Sequence, residues 1–409
     1  MPEAAPQDRK RILFLHPNFP AQFKHLATAS AAYGHDARFL CQTHYGRSLP
    51  GVKRLTLKGS CSHEHLNQLG GDQLQRTAAL AKQYRNGLIS LKSSGWTPEI
   101  VISHSGWGCG LYVREVWPQS HHVAYLEWWF DPESDFFHYD PHNQDLNLGS
   151  NLAQKLWLRN QPIALELINA NAIVAPTLWQ ARQLPLLLKE RCHVIHDGID
   201  LKRFKPDPTQ RQHQQSIVTY GTRGMEPMRA FPQFIKGVLS VLSQNPRIRV
   251  EIAGEDDINY GGRPPNTHKS WGNWAKHQLV EAGFSHRVHW LGHLAPDQYT
   301  AWLQASDCHV HLSHPFVASW SLLEALACTC PMVVSDVEPI RELCEATKSI
   351  VTYVDHRDPE ALPRAINRLL KDRRISIADP GRKTFLTYSK TTSLEQWGHV
   401  AGLQLTTNH

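Results

Sequence analysis

The chain has 409 residues, which suits two or three domains of ordinary size. Hydrophobic residues make up 41% and charged residues 20%, a balance that excludes a disordered or low-complexity chain. The formal net charge of +6 is too weak and too scattered for a nucleic-acid-binding surface, but it is compatible with an anionic ligand or a peripheral membrane contact. The first twenty residues do not read as a signal peptide, and no apolar run approaches the ~20 residues of a membrane span. The eight Cys form no CxxC pair and no zinc spacing, so a reducing cytoplasm is the expected location, with Cys308, Cys328, Cys330 and Cys344 as core thiols.

In chain order, Arg11 to Leu15 reads as a buried strand followed by a Pro-rich turn. A helix is expected from Gln22 to Tyr33, a strand from Asp36 to Cys41, a long helix from Gln73 to Leu91, and strands at Ile100–Ser103 and Val123–Leu126. Asn151 to Asn171 reads as one helix, Ala172–Ala175 as a strand, Thr177 to Gln183 as a short helix and His193–Ile195 as a strand. A polar stretch with two Pro, Phe204 to Gln215, interrupts the pattern. Alternation resumes with strands at Ile217–Tyr220, Val250–Ala253, Val288–Leu291, Cys308–Leu312 and Val351–Val354 and helices between them, and the tail from Thr384 to Leu405 is mostly helical. Two alternating halves predict two doubly wound parallel sheets, with ligands at the carboxyl ends of the strands. The expected division is 1–197, 198–385 and a C-terminal helix at 386–409 packing back on the first domain.

The most informative stretch is Phe316 to Asp336, FVASWSLLEALACTCPMVVSD. Ser319 and Ser321 precede an apolar helical run, Glu324 is expected in its first turn, and Cys328-Thr329-Cys330-Pro331 ends it. A helix start presents unpaired N–H groups and a positive dipole end, which suit a diphosphate. The plainer alternative is a buried amphipathic helix in which Glu324 only favours the dipole. The segment from Tyr220 to Arg229 places Arg223 and Arg229 after the first strand of the second half, where cations can neutralise a diphosphate leaving group. In the first half, Ser103-His104-Ser105-Gly106-Trp107-Gly108 and Leu126-Glu127-Trp128 end two strands, which puts His104 and Glu127 where ligands of such sheets bind; the plainer reading of His104 is a structural hydrogen bond to the glycine turn.

These motifs resemble the retaining family-4 group of GT-B glycosyltransferases, over nearly the whole chain. The string His193-Val194-Ile195-His196-Asp197-Gly198-Ile199-Asp200 resembles the strand-to-linker crossing of that family, where Gly198 would supply a positive φ. Three further motifs resemble one subgroup: Asn-Phe-Pro-Ala-Gln-Phe at 18–23, His-Ser-Gly-Trp-Gly at 104–108, and Pro-Phe-Val-Ala-Ser-Trp-Ser-Leu-Leu-Glu-Ala at 315–325. The resemblance implies two Rossmann-like domains facing across a cleft and a nucleotide-sugar donor, most simply a UDP- or GDP-sugar. It implies Glu324 at the ribose, Arg223 and Arg229 at the diphosphate, amides near Ser321 and Leu322 at the distal phosphate, and Leu291 and Gly292 against the nucleobase. It implies His104 and Glu127 as catalytic groups and Asn18, Phe19, Gln22 and Trp107 on the acceptor side, with no metal or other cofactor.

Three departures stand beside it. Arg229 stands where the family usually has Lys, the usual Gly pair of the first turn is missing, and Phe316 occupies the place of a Glu that contacts the transferred sugar. Two readings remain open beside transfer. One is another enzyme of this architecture, such as a sugar phosphorylase or an epimerase; the other is a catalytically silent protein that only binds nucleotide sugars.

Overall fold

The computed structural model describes residues 9–57, 68–69, 72–146, 150–211, 215–371 and 385–405. Cys61, Thr384 and positions 212–214 of the expected linker lie outside them. The described residues form two α/β units. One comprises Met1–Pro132, Asn151–Gly198 and Tyr388–His409, and the other Glu133–Ser150 and Ile199–Thr387. Chain order alone would give 133–150 to the first unit and the tail to the second.

The first unit holds a seven-stranded parallel sheet: β1 (Arg11–Leu15), β2 (Asp36–Cys41), β3 (Lys53–Thr56), β4 (Ile100–His104), β5 (His121–Tyr125), β6 (Ala172–Ala175) and β7 (Cys192–Val194), in the order β3-β2-β1-β4-β5-β6-β7. Side chains alternate across it. Ile12 and Phe14 join Phe39, Ile102, Tyr125 and Val174 on one face, while Leu13 and Leu15 join Leu40, Val101 and Tyr84 on the other. The tail helix Lys390–Ala401 adds Leu394, Trp397 and Ala401 to the first of these faces. Gly198 closes this unit at φ 84°, as its place in the crossing motif predicts, and a Cβ there would stand 2.8 Å from the Lys390 backbone.

The second unit repeats the arrangement with six parallel strands: β8 (Ser216–Gly224), β9 (Ile248–Glu255), β10 (Val288–Gly292), β11 (Cys308–His311), β12 (Met332–Ser335) and β13 (Val351–Val354), in the order β10-β9-β8-β11-β12-β13. In both sheets the order reverses beside the first strand, between β1 and β4 and between β8 and β11. Ligands of doubly wound sheets bind at the carboxyl ends of the strands flanking such a reversal.

Helix starts follow their capping residues. Asp72 accepts from the N–H of Leu74 at 2.9 Å, Thr177 from Gln180 at 3.1 Å and Ser270 from Asn273 at 3.0 Å. Several elements differ from expectation. β3 has a polar sequence and runs along the exposed edge of the sheet, so it carries no apolar alternation. The helix Glu338–Cys344 buries Ile340, Leu343 and Cys344 but is too short for its period to show. The single helix expected over 151–171 is two, Ser150–Leu158 and Asn160–Asn169. At the break, the Asn160 side chain exchanges hydrogen bonds with the Phe130 backbone at 2.9 and 3.0 Å. Cys308, Cys328, Cys330 and Cys344 are buried free thiols.

Inside the first unit lies a buried polar cluster. The Ser103 hydroxyl donates to Glu166 Oε1 at 2.6 Å and lies 2.7 Å from His122 Nε2. Burial pushes the Glu166 carboxyl up to about 8, against the hydrogen bond from Ser103, and pushes His122 down to about 3. The raised Glu166 contributes stability that is complete below the ordinary carboxylate range and is lost as pH rises toward 8. The depressed His122 contributes stability that is complete above the ordinary imidazole range and is lost as pH falls toward 3. Glu166→Gln is therefore expected to flatten the fall in unfolding temperature between about pH 5 and pH 8 that the wild-type chain shows. Equal falls in both proteins would mean that Glu166 ionises in the folded state without penalty.

Candidate active site

In the first unit, the reversal of strand order brings the segment after β1 beside the turn after β4. His104 ends β4, and its Nδ1 accepts the N–H of Gly106 at 3.3 Å, which leaves the ring proton on Nε2. That nitrogen stands 3.3 Å from Glu127 Oε2, within ion-pair distance but off hydrogen-bond alignment. Gln22 donates to the other carboxylate oxygen, Oε1, at 3.2 Å, and the Gln180 side-chain amide donates to the Glu127 carbonyl. His104 is buried, whereas the Glu127 side chain is about a third exposed, so the pair joins a shielded imidazole to an accessible carboxylate. Such a pair can take a proton from a hydroxyl and hold it.

His16 completes the cluster. Its ring stands edge-on to His104 with centroids 4.8 Å apart, and its Nδ1 accepts the N–H of Asn18 at 2.9 Å. Burial, then the neighbouring His104, hold His16 well below the ordinary imidazole range, so it stays neutral. Trp107 is partly exposed, with its ring 6.4 Å from that of His104. The Asn18 side-chain oxygen accepts from the Thr43 hydroxyl at 2.7 Å. Phe19 lies fully inside the core against Phe39, with ring centroids 4.9 Å apart, so its motif position supports the turn and offers no surface to an acceptor. The structure brings the separately expected His104, Glu127 and Gln22 together. Sequence reasoning misses His16, whose signal is its position immediately after β1 beside the reversal.

In the second unit, β8 runs on through Gly224, so Arg223 belongs to the strand end and not to the loop beyond it. Its register against β9 shifts between Gly221 and Gly224. At the same level Gly254 has φ 127°, and a Cβ there would fall 1.7 Å from the Thr222 carbonyl oxygen, so only glycine fits. Arg223 is exposed. Arg229 is held from several sides. Its Nη1 donates to the Ser313 hydroxyl at 2.8 Å, its carbonyl accepts from the Tyr220 hydroxyl at 2.8 Å, and its guanidinium lies 5.3 Å from the Tyr260 ring centroid and 5.8 Å from that of Phe316.

Arg229, His311, Ser313, His314, Phe316 and Leu322 line a cavity bordering the first turn of helix Trp320–Ala327. Ser319, the residue before that helix, does not cap it; its hydroxyl pairs with Ser321 at 2.8 Å. The helix start therefore has no cap from Ser319 and lies beside a fixed cation. His311 is buried with Nδ1 lacking a hydrogen-bond partner, and burial, then Arg229, hold it well below the ordinary range. Glu324 lies in the second turn, not the first, and hydrogen-bonds to Tyr299. Leu291 and Gly292 end β10, with Gly292 at φ 60°. The structure groups Arg229, Phe316, Leu322 and Ser321 around one helix start, while Arg223 stands apart at the strand end.

Glu226 is the residue that sequence reasoning overlooks. It is buried, and its Oε2 accepts the N–H groups of Asn259, Tyr260 and Gly261 at 2.9, 2.8 and 3.2 Å. Burial raises its carboxyl above the ordinary range against those three donors. It thereby fixes the loop that carries Tyr260 against Phe316, with ring centroids 4.9 Å apart. Glu226→Ala should cost about 1–3 kcal/mol of stability, measured by denaturant unfolding, because three backbone donors of the Tyr260 loop lose their acceptor. A cost near that of an ordinary surface substitution would remove this role.

Two parallel doubly wound sheets, each with side chains gathered at its reversal point, define a two-unit α/β architecture, and the comparisons make it specific. The family model for the glycosyl transferase family 4 group matches residues 33–204, and that for glycosyl transferases group 1 matches residues 205–385. The chain belongs to the glycosyltransferases built from these two domains, the GT-B kind. Among solved structures, a sucrose-phosphate synthase from Thermosynechococcus elongatus is 16% identical, with a TM-score of 0.71 over 96% of this chain and 98% of that one. HepE of Anabaena, in complex with UDP-glucose, is 16% identical, with a TM-score of 0.68 over 96% and 100%. A glycosyltransferase from Rickettsia africae is 12% identical, with a TM-score of 0.66 over 98% and 100%. At these identities the likeness concerns the fold. No curated protein sequence matches the chain.

Proposed function

We propose that the protein is a retaining glycosyltransferase that moves a sugar from a nucleotide sugar, a UDP- or GDP-sugar, to a glycan, lipid or small-metabolite acceptor. The observation that carries this reading is the pinned Arg229 beside the start of helix Trp320–Ala327, where Ser319 makes no cap. A cation already held by Ser313 and two rings needs no reorganisation when the diphosphate takes on charge as the glycosidic bond breaks. Arg223 adds a second, solvent-facing cation, so the charge is met without a divalent metal. Glu324 accepts from the ribose hydroxyls, with Tyr299 setting the carboxylate. His104 and Glu127 serve the acceptor or the transferred sugar by holding a proton between them. The motifs at 18–23, 104–108 and 315–325 support a place in one subgroup of the family, in which Phe316 marks altered recognition of the sugar and not loss of activity. The complex of HepE with UDP-glucose supports the class of donor.

Arg229→Ala should weaken binding of a nucleoside diphosphate by about 1–3 kcal/mol in titration calorimetry while leaving the nucleoside almost unaffected. Arg223→Ala should act in the same direction. Equal losses for both ligands would take the arginines away from the diphosphate. Glu324→Ala should raise the donor KM in a folded protein.

Turnover should persist in EDTA, and the product anomer, read by NMR, should match that of the donor. Activity that vanishes on chelation and returns with magnesium would refute the metal-free mechanism. A folded protein that binds UDP or GDP but turns over no sugar donor would favour a silent binding protein, a reading motivated by Phe316 and the missing Gly pair.

A further inference from the structure

Half of the sixteen large apolar side chains that stand exposed among the described residues fall between positions 157 and 194 of the first unit. They share a single foundation. Ile163, Leu167, Leu184 and Leu188 pack with Trp129 in one core cluster beneath the β7 edge of the sheet. The opposite faces of the same elements point outward. On helix Asn160–Asn169, Leu165 and Ile168 lie on the side away from Ile163 and Leu167 and are 51% and 60% exposed. On the short helix Leu186–Lys189, which is anchored by Leu188, Leu186 and Leu187 are 70% and 80% exposed. Arg191 joins the two helices by donating to the carbonyls of Ile168 and Ala170. The ring of Trp157, itself half exposed, meets that of Trp129 edge-on at 6.4 Å and extends the face onto helix Ser150–Leu158.

Charge on this stretch is one-sided. Lys155, Arg182, Lys189 and Arg191 accompany the apolar side chains, against Glu190 as the one surface acid; the stretch's other acid, Glu166, is buried. Aliphatic tips rimmed by cations, with a Trp at the margin, match the physics of attachment to a bilayer interface: apolar groups enter the headgroup boundary while Lys and Arg meet anionic lipid. Two copies of the chain meeting through this face would oppose like charges at Lys189 and Arg191, which disfavours self-association.

We propose that this face of the first unit docks on an anionic lipid bilayer, with Leu186 and Leu187 as the inserted tip. The proposal is independent of the donor chemistry. Its test is co-sedimentation of the full chain with vesicles of phosphatidylcholine alone and of phosphatidylcholine with phosphatidylglycerol. Wild-type protein should partition to the phosphatidylglycerol vesicles, and more weakly as salt is raised. Leu186→Glu with Leu187→Glu should lower that partition by at least about tenfold, with unfolding temperature and nucleoside diphosphate binding unchanged, since both side chains lie outside the core. Lys189→Glu, which touches no apolar contact, should lower it to a lesser degree and serves if the double variant does not fold. Equal partition to both kinds of vesicle, or undiminished binding by the folded variants, would overturn the proposal. So would a concentration-dependent dimer of the wild type that the double variant abolishes without any vesicle binding.

Discussion

Burial of parallel strands on both faces is the constraint from which the rest of this structure follows. β1 is covered on one side by Phe23 and Trp397 and on the other by Leu80 and Tyr84. Strands so enclosed have no room on their faces for a ligand. Chemistry is forced to the strand ends, and only where the order of strands reverses do neighbouring ends diverge enough to leave space. His16 and His104 follow β1 and β4 for this reason, and Arg229 and Phe316 follow β8 and β11.

The two reversals carry different electrostatics. That of the first unit gathers imidazoles and a carboxylate, with His16 kept neutral by burial and His104 within ion-pair distance of Glu127. That of the second gathers a cation, a helix start and aromatic rings, with His311 kept neutral by burial beside Arg229. Imidazole and carboxylate groups thus lie on one sheet and the fixed cation on the other. Each rests on a buried polar group. Glu226 organises the Tyr260 loop, and the Ser103, His122 and Glu166 cluster lies beneath the end of β4. The second unit also recruits 133–150: His314 Nε2 meets the Phe136 carbonyl at 3.0 Å, and the Phe136 and Phe316 rings stand 5.7 Å apart. The wall around Phe316 is therefore partly built from a segment distant in sequence.

Much of this was legible in the amino-acid order because it is written in local terms. The strands of the two sheets announce themselves by apolar runs, the helix starts by Asp72, Thr177 and Ser270, and the crossing by a glycine that does adopt positive φ. That His104 and Glu127 end strands was readable from two motifs, but their pairing appears only when β4 and β5 lie side by side. What escaped were elements whose role is decided by neighbours. The polar β3 is a strand because β2 offers it hydrogen bonds, and Phe19, read as a surface residue of a motif, is core because Phe39 lies opposite.

The sequence by itself determined the fold class, the two-domain family and the residue types available for proton and phosphate chemistry, because periodicity, caps and motif spacing act over a few residues. Tertiary structure alone decided the rest. It put Glu324 in the second turn against Tyr299, fixed Arg229 between Ser313, Tyr260 and Phe316, gave Glu226 three backbone donors, and left Leu186 and Leu187 outside the core that Leu188 enters. These are contacts between residues tens of positions apart, or choices between adjacent leucines. Burial and hydrogen-bond geometry exist only once the sheets have formed, and no local pattern encodes them.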